Sequence, residues 1–284
     1  MKNNNGKDTF IYWVMRIITY SIVIIIAYIL IDIIIKGLPA INIEFLTESP
    51  RKSGAEGGIF PVILGTLYLV TLTILIALPL GMFSAIYLTE YAKQNKITKI
   101  LRLAIVTLAG VPSIVFGLFG LGLFVIFLGF GASILSGSIT LALMILPTII
   151  VSSEEALKAV PQYMREGSLA LGATKWQTIQ KNVLPSAMPG MLTGAILGVG
   201  RAAGETAPIL LTAAAFFLPS LPSSVFDQVM ALPYHLFILS TQVPEPQKIM
   251  HMQYGTALVL ITLVLGLNLI AIIIRIRIRK KYNW

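Results

Sequence analysis

The chain has 284 residues, of which 56% are hydrophobic and only 12% charged, and its mean hydropathy is +0.87. A soluble domain carries about 25% charged residues, so this composition excludes a water-soluble enzyme and points to a protein that crosses a membrane several times. The net charge of +9 is spread between apolar runs rather than gathered in a nucleic-acid patch, and the absence of cysteine removes disulfides, thiolate metal sites and cysteine nucleophiles.

A membrane span needs roughly 20 mostly apolar residues. Six stretches qualify: Phe10–Ile35, Pro61–Tyr87, Leu101–Leu128, Ile134–Val151, Met188–Ala215 and Tyr254–Ile274. The first is too long for a signal peptide's apolar region and lacks a small-residue cleavage site, so an uncleaved helix is expected. Near its end, Asp32 and Lys36 stand four apart and can pair on one face. The connections on one side, with the N-terminus (Lys2, Lys7, Arg16) and the C-terminal tail (Arg275 to Lys281), carry sixteen Lys and Arg; the other side carries four, Lys36, Arg51, Lys52 and Lys248. That asymmetry places both termini in the cytoplasm, in agreement with an even number of spans. The outer segments, 37–60 and 216–253, hold turn residues (Pro39, Pro50, Gly54, then Pro219, Pro222, Pro233, Pro244, Pro246) and read as loops or short interfacial helices. Both histidines, His235 and His251, fall in the second of them. The resulting organisation is a tail, first span and outer loop over 1–58, a core over 59–274 with a cytoplasmic hairpin at 154–185, and a basic tail over 275–284.

The stretch after the fourth span is the most informative. Pro161 suits a helix start, Gly172 suits the left-handed position just past a helix end, and Thr174 with Gln177 forms a capping-box pattern for a second helix. Pro185 closes the segment before the fifth span. An amphipathic helical hairpin of this kind is a docking surface for another protein. The pattern Glu166 to Gly172, followed by Leu184-Pro185, resembles the EAA loop of ABC-type importer permeases. The resemblance implies a type I ABC importer permease fold: an all-α integral membrane protein with six transmembrane helices. It also implies that Glu166, Gly167, Ser168, Gly172, Leu184 and Pro185 serve coupling to an ATPase. The chain departs from the family in having Gly167 and Ser168 where two alanines are usual and Asn182 where an aliphatic residue is usual; glycine and serine remain small enough for close approach.

The fifth span carries Arg201 and Glu205, one turn apart. A charge at mid-bilayer costs about 2.5–3.5 kcal/mol on insertion scales. Arg201 follows Met188 by 13 residues, roughly 20 Å into a core about 30 Å thick, so it should face protein or a water-filled path. The pair reads in two ways: a structural salt bridge, or an anion site in which the planar guanidinium meets phosphate oxygens and Glu205 competes for it. Arg201, Glu205 and the adjoining Thr206 are the candidate substrate-path residues. Gly190, Gly194, Gly198 and Ala202 recur at four-residue intervals, a small-residue stripe for close packing within the chain or against a second subunit.

The run Arg201-Ala202-Ala203-Gly204-Glu205-Thr206-Ala207-Pro208, continued by Ile209-Leu210, resembles phosphate-importer permeases of the PstA type, as does Pro112-Ser113-Ile114-Val115-Phe116-Gly117-Leu118-Phe119-Gly120 in the third span. The resemblance covers spans two to six. It implies a subunit of the bacterial cytoplasmic (inner) membrane that pairs with a PstC-type permease, two PstB-type ATPases and an extracytoplasmic phosphate-binding protein. ATP and Mg would then sit on the ATPase, and no cofactor on this chain. In keeping with that, no GxxxxGK[ST] loop, dinucleotide spacing or Ser/His dyad occurs. The alternatives are a permease for another anion (phosphonate, sulfate, molybdate), the PstC-type partner, a stand-alone channel and an intramembrane hydrolase.

Overall fold

A computed structural model describes residues 5–51, 56–218, 220–243, 247 and 249–281. Lys2, Lys52, Gly54, Pro219, Pro244, Pro246 and Lys248, used above, lie outside the described residues. The described chain is a helical bundle with one two-stranded ribbon, β1 (Pro50–Arg51) paired antiparallel with β2 (Glu56–Gly57).

Helix α1 (Asn5–Gly37) spans 33 residues, roughly 50 Å at the helical rise. Its apolar window has no buried residue, so the rest of the described chain leaves that surface largely uncovered. The helix is tied down at its end: Lys36 pairs with Asp32 at 2.7 Å and reaches the Tyr254 hydroxyl at 3.4 Å. A short helix α2 (Ile43–Thr47), capped by the Asn42 side chain, leads to the ribbon. Helix α3 (Phe60–Ile86) starts with Pro61 in its first turn, contains Pro79, and widens into a π-helical turn over Tyr87–Tyr91.

The third apolar stretch is not a straight span. It forms α4 (Lys96–Leu108) and α5 (Ser113–Gly120, continued by a π-helical turn to Phe127), which meet at 104°. Pro112 stands at the break: it has no N–H for the helical ladder and disfavours the helical region for Val111, and the packing around it makes the corner. Hydropathy counts apolar residues but carries no direction, so the sequence shows one span where the chain turns a corner. Among the described residues, five helices are thus long and apolar enough to cross a membrane, or six with the bent pair taken as one span.

Helix α6 (Ile134–Lys158), capped by Ser133, is the central element. Two-thirds of its apolar window is buried, 67% against 44% for α3, because α3 and α9 both pack on it. The hairpin follows as α7 (Gln162–Ala170) and α8 (Lys175–Thr178), and α8 runs through a π-helical turn (Ile179–Val183) into α9 (Leu184–Gly204). Pro185 therefore does not close the hairpin. It is the second residue of α9, inside a helical stretch that is continuous from Lys175, next to the π-helical turn.

The fifth span is also shorter than its apolar run. Helix α9 stops at Gly204, Glu205 and Thr206 form a break, and α10 (Ala207–Thr212) begins again. Pro208 cannot close a hydrogen bond onto the Gly204 carbonyl, which ends the ladder there. The chain then crosses back over the start of α6: Ser133 N–H donates to the Thr212 carbonyl at 2.9 Å and Ile134 N–H to that of Asp227 at 2.9 Å. Helix α11 (Leu232–Thr241) precedes α12 (Met250–Lys281), which runs 32 residues and takes in His251 and the basic positions 275–281, placed in an outer loop and a tail by the sequence.

Contacts fix the relative topology. The end of α1 meets the start of α12 at Tyr254, while Arg275, near the other end of α12, donates to Thr193 of α9 at 3.2 Å. With Asn268 beside Gly200 as well, α12 runs antiparallel to α9, and its later turns lie toward the end of α9 that continues from the hairpin.

Candidate functional site

Two regions carry the candidate residues. The first is the hairpin. Gly172 has φ +86°, a left-handed conformation that glycine adopts without a Cβ clash, and it reverses the chain after α7. The capping box is formed in full: the Thr174 hydroxyl accepts from Gln177 N–H at 3.3 Å, and the Gln177 side-chain oxygen accepts from Thr174 N–H at 2.8 Å. Ser168 accepts from the Thr178 hydroxyl at 2.9 Å and joins the two arms. Glu166, Gly167 and Gly172 are exposed, and nothing stands within 4 Å of a Cβ built at either glycine. The outer face of the hairpin is thus open, with Leu171 at 90% and Tyr163 at 72% exposure.

The two arms are anchored differently. Ile179 and Val183 of the second arm are buried against Ala85 and Ile86 of α3, Leu157 of α6, and Val160, in one apolar cluster that continues to Ala187 and Met191. Helix α7, the first arm, has no buried residue. Its Arg165 reaches inward instead: the guanidinium pairs with Glu90 at 2.8 Å and donates to the carbonyls of Leu157 (2.8 Å) and Val160 (2.7 Å). Beside it, Glu154 of α6 receives Lys158 at 2.9 Å and Arg102 of α4 at 3.3 Å. In the sequence, Arg165 and Arg102 are two of the sixteen Lys and Arg that mark one side of the membrane. No local signal pairs Glu90 with a residue 75 positions away.

The second region is the break after α9. Arg201 is the last basic residue of α9 and Glu205 the first residue beyond the helix; Nε and Oε1 are 3.4 Å apart. The Arg201 side chain is 39% accessible and that of Glu205 18%, so the pair is not sealed within the chain. Thr206 is partly buried in the break itself. The turn back into α10 is packed against α5, where Gly117 and Gly120 admit the neighbouring backbone and the Thr140 and Thr212 side chains. The two motifs that carry the family resemblance in the third and fifth stretches therefore meet in space.

The small-residue stripe of α9 faces α6. A Cβ at Gly190 would stand 2.6 Å from Ala156 Cβ, one at Gly194 would fall on Ser152 Oγ, and one at Gly198 would stand 3.3 Å from Ile145. Ala202 is 3% exposed in the same core. On the adjacent face, Gly200 makes room for the Asn268 amide of α12, a polar group that sequence reasoning passed over inside a long apolar run.

Outside the spans, burial against Phe216 and the surrounding apolar side chains pushes the His235 imidazole down to about 4. The amides of Ser223 and Ser224 and the Ser223 hydroxyl hold the Asp227 carboxyl below the usual carboxylate range. Among the described residues, no group of three or more His, Asp or Glu is placed to hold a metal ion.

An apolar bundle with an exposed capped hairpin between its two central helices, and a charged pair at a helix break, is the architecture of the membrane subunit of an ATP-driven importer. Residues 77–283 match the family described as the inner membrane component of binding-protein-dependent transport systems, and the chain belongs to that family. It is 35% identical over 244 residues to the probable ABC transporter permease protein YqgI of Bacillus subtilis, covering 81% of this chain and 82% of that one. It is 34% identical over 262 residues to the probable phosphate transport system permease protein PstA of Methanocaldococcus jannaschii, covering 90% and 89%. Among solved structures, a bacterial ABC transporter involved in import of the acidic polysaccharide alginate superposes with a TM-score of 0.67 at 13% identity, over 97% of this chain and 99% of that one, a likeness of fold. The protein is thus a multi-pass permease subunit of the inner membrane with the type I importer fold, a transport component rather than an enzyme. Members of its family work with a substrate-binding protein and an ATPase.

Proposed function

We propose that this permease carries inorganic phosphate into the cell, with Arg201 contacting the anion in transit. The observation that carries the reading is the Arg201–Glu205 pair at the end of α9, at 3.4 Å and open on the chain's own surface. A guanidinium offers phosphate a planar fork of donors, and a tethered carboxylate keeps that binding weak enough for release. The likeness to PstA proteins supports the same cargo. In this reading the exposed side of the break faces a PstC-type permease across the path, and the hairpin end is cytoplasmic. Glu166, Gly167, Ser168, Gly172, Leu184 and Pro185 form the element that a PstB-type ATPase grips, and an extracytoplasmic phosphate-binding protein delivers cargo to the opposite end. The stripe of Gly190, Gly194, Gly198 and Ala202 holds α9 close to α6.

The test is reconstitution of the four-component complex in proteoliposomes, with labelled phosphate uptake and ATP hydrolysis read together. Phosphate-loaded binding protein is expected to stimulate both, while sulfate and molybdate do not compete. Arg201→Ala in an assembled complex is expected to abolish uptake. Uptake that survives this substitution would remove the assigned role.

A further inference from the structure

We propose that Arg165 is a positioning residue for energy coupling: with Glu90 it forms the joint through which α7 moves together with α3 and α6. The inference rests on the reading of the hairpin as the ATPase contact.

The argument starts from how little else holds α7. The second arm of the hairpin is welded to the bundle by Ile179 and Val183, both buried. Helix α7 has no buried residue of its own; Met164 only leans on the same cluster. Its chain connection to α6 passes through Ala159, Val160 and Pro161, and Pro161 stands extended at ψ 141°, so no continuous helix transmits force. Arg165 supplies what the backbone lacks. One guanidinium reaches Glu90, in the π-helical turn that follows α3, through both Nε (3.2 Å) and Nη2 (2.8 Å), and the carbonyls of Leu157 in the last turn of α6 and of Val160 just past it.

The pair is also placed where its bonds are strong. The side chains are 14% and 8% exposed, so solvent competes weakly, and removal of one partner leaves the other charge buried. Yet the surroundings are not filled: the joint lines a cavity of about 610 Å³ whose walls include Lys158, Pro161, Lys175 and Thr178. The polar link, at the edge of that cavity, ties the exposed arm to two membrane helices where α7 supplies no buried side chain of its own. Glu166, next in sequence and exposed, is left free for the partner.

The test uses the absence of cysteine from the chain: with partner subunits also freed of cysteine, Gln162→Cys on α7, beside the cavity, and Leu80→Cys on α3 take the two spin labels. In the assembled complex, the label-to-label distance is expected to stay a single narrow population with and without ATP. Glu90→Gln and Arg165→Gln are expected to broaden it, and to lower the stimulation of ATP hydrolysis by loaded binding protein at least about fivefold, the lower end of coupling between sites. Copurification of the ATPase is expected to be unchanged, and Arg165→Lys, which keeps the ion pair, to recover part of the stimulation. A distance that remains narrow in both Gln variants, or a loss of ATPase copurification in step with stimulation, overturns the proposal. The distance needs no cargo, so failure of phosphate to stimulate the unsubstituted complex refutes the cargo while this test still stands.

Discussion

Gly117 of α5 lies directly against the backbone around Pro208 of α10: a Cβ built at Gly117 would stand 3.1 Å from Pro208 Cα and 3.0 Å from the Ala207 carbonyl oxygen. The contact joins the corner made by Pro112 to the break made by Pro208, so the two places where apolar helices change direction brace one another.

A side chain at Gly117 has to push this contact apart. Gly117→Val is expected to destabilise the subunit by about 1–3 kcal/mol, the usual range for overpacking. It is also expected to reduce uptake, because α10 carries the break that holds Glu205. Thermal unfolding of the purified subunit and uptake in proteoliposomes check the two effects. An unfolding temperature unchanged from the parent would show that α5 yields freely.

Glu205 is the first residue past α9 and the partner of Arg201. Glu205→Gln removes the internal competitor for the guanidinium while retaining size. If the pair is a transient anion site, both KM and the maximal uptake rate should fall, as cargo binds more tightly and leaves more slowly. A purely structural bridge gives another pattern, with lower stability and unchanged KM. Uptake measured across phosphate concentrations separates the two.

The two hairpin glycines should answer differently to alanine. Gly172 has φ +86°, where a Cβ is strained, and Gly172→Ala is expected to cost about 1 kcal/mol and to weaken ATPase retention. Gly167 has no neighbour within 4 Å and an ordinary helical conformation. Gly167→Ala is expected to be neutral or slightly stabilising to the isolated subunit, since alanine is the better helix former. Copurification of the ATPase and thermal unfolding read both.

His235 gives the permease a stability that depends on pH. Burial pushes its imidazole from 6.5 down to about 4, so the folded state binds fewer protons than the unfolded one between those values. Stability is therefore complete above about pH 6.5 and is lost as pH falls toward about 4, by on the order of 3 kcal/mol in total. His235→Phe, which keeps the stacking on Phe216, is expected to flatten that part of the pH profile. Unfolding followed from pH 7 to pH 4 in both proteins makes the comparison.

The sequence by itself determined what local chemistry determines. Apolar runs placed the membrane helices, and Thr174, Gln177 and Gly172 specified the caps and turn of the hairpin, because capping and left-handed glycine act over a few neighbouring residues. Asp32 and Lys36, one helical turn apart, were legible for the same reason. Composition could not show where an apolar run bends: Pro112 and Pro208 were in plain view, yet only the helices packed around them turned one into a corner and the other into a break. Nor could it join Arg165 to Glu90, Gly117 to Pro208, or Asn268 to Gly200. Those meetings link positions far apart in the chain. They depend on which faces of α3, α6, α9 and α12 come together, and that choice belongs to the packing of the whole bundle.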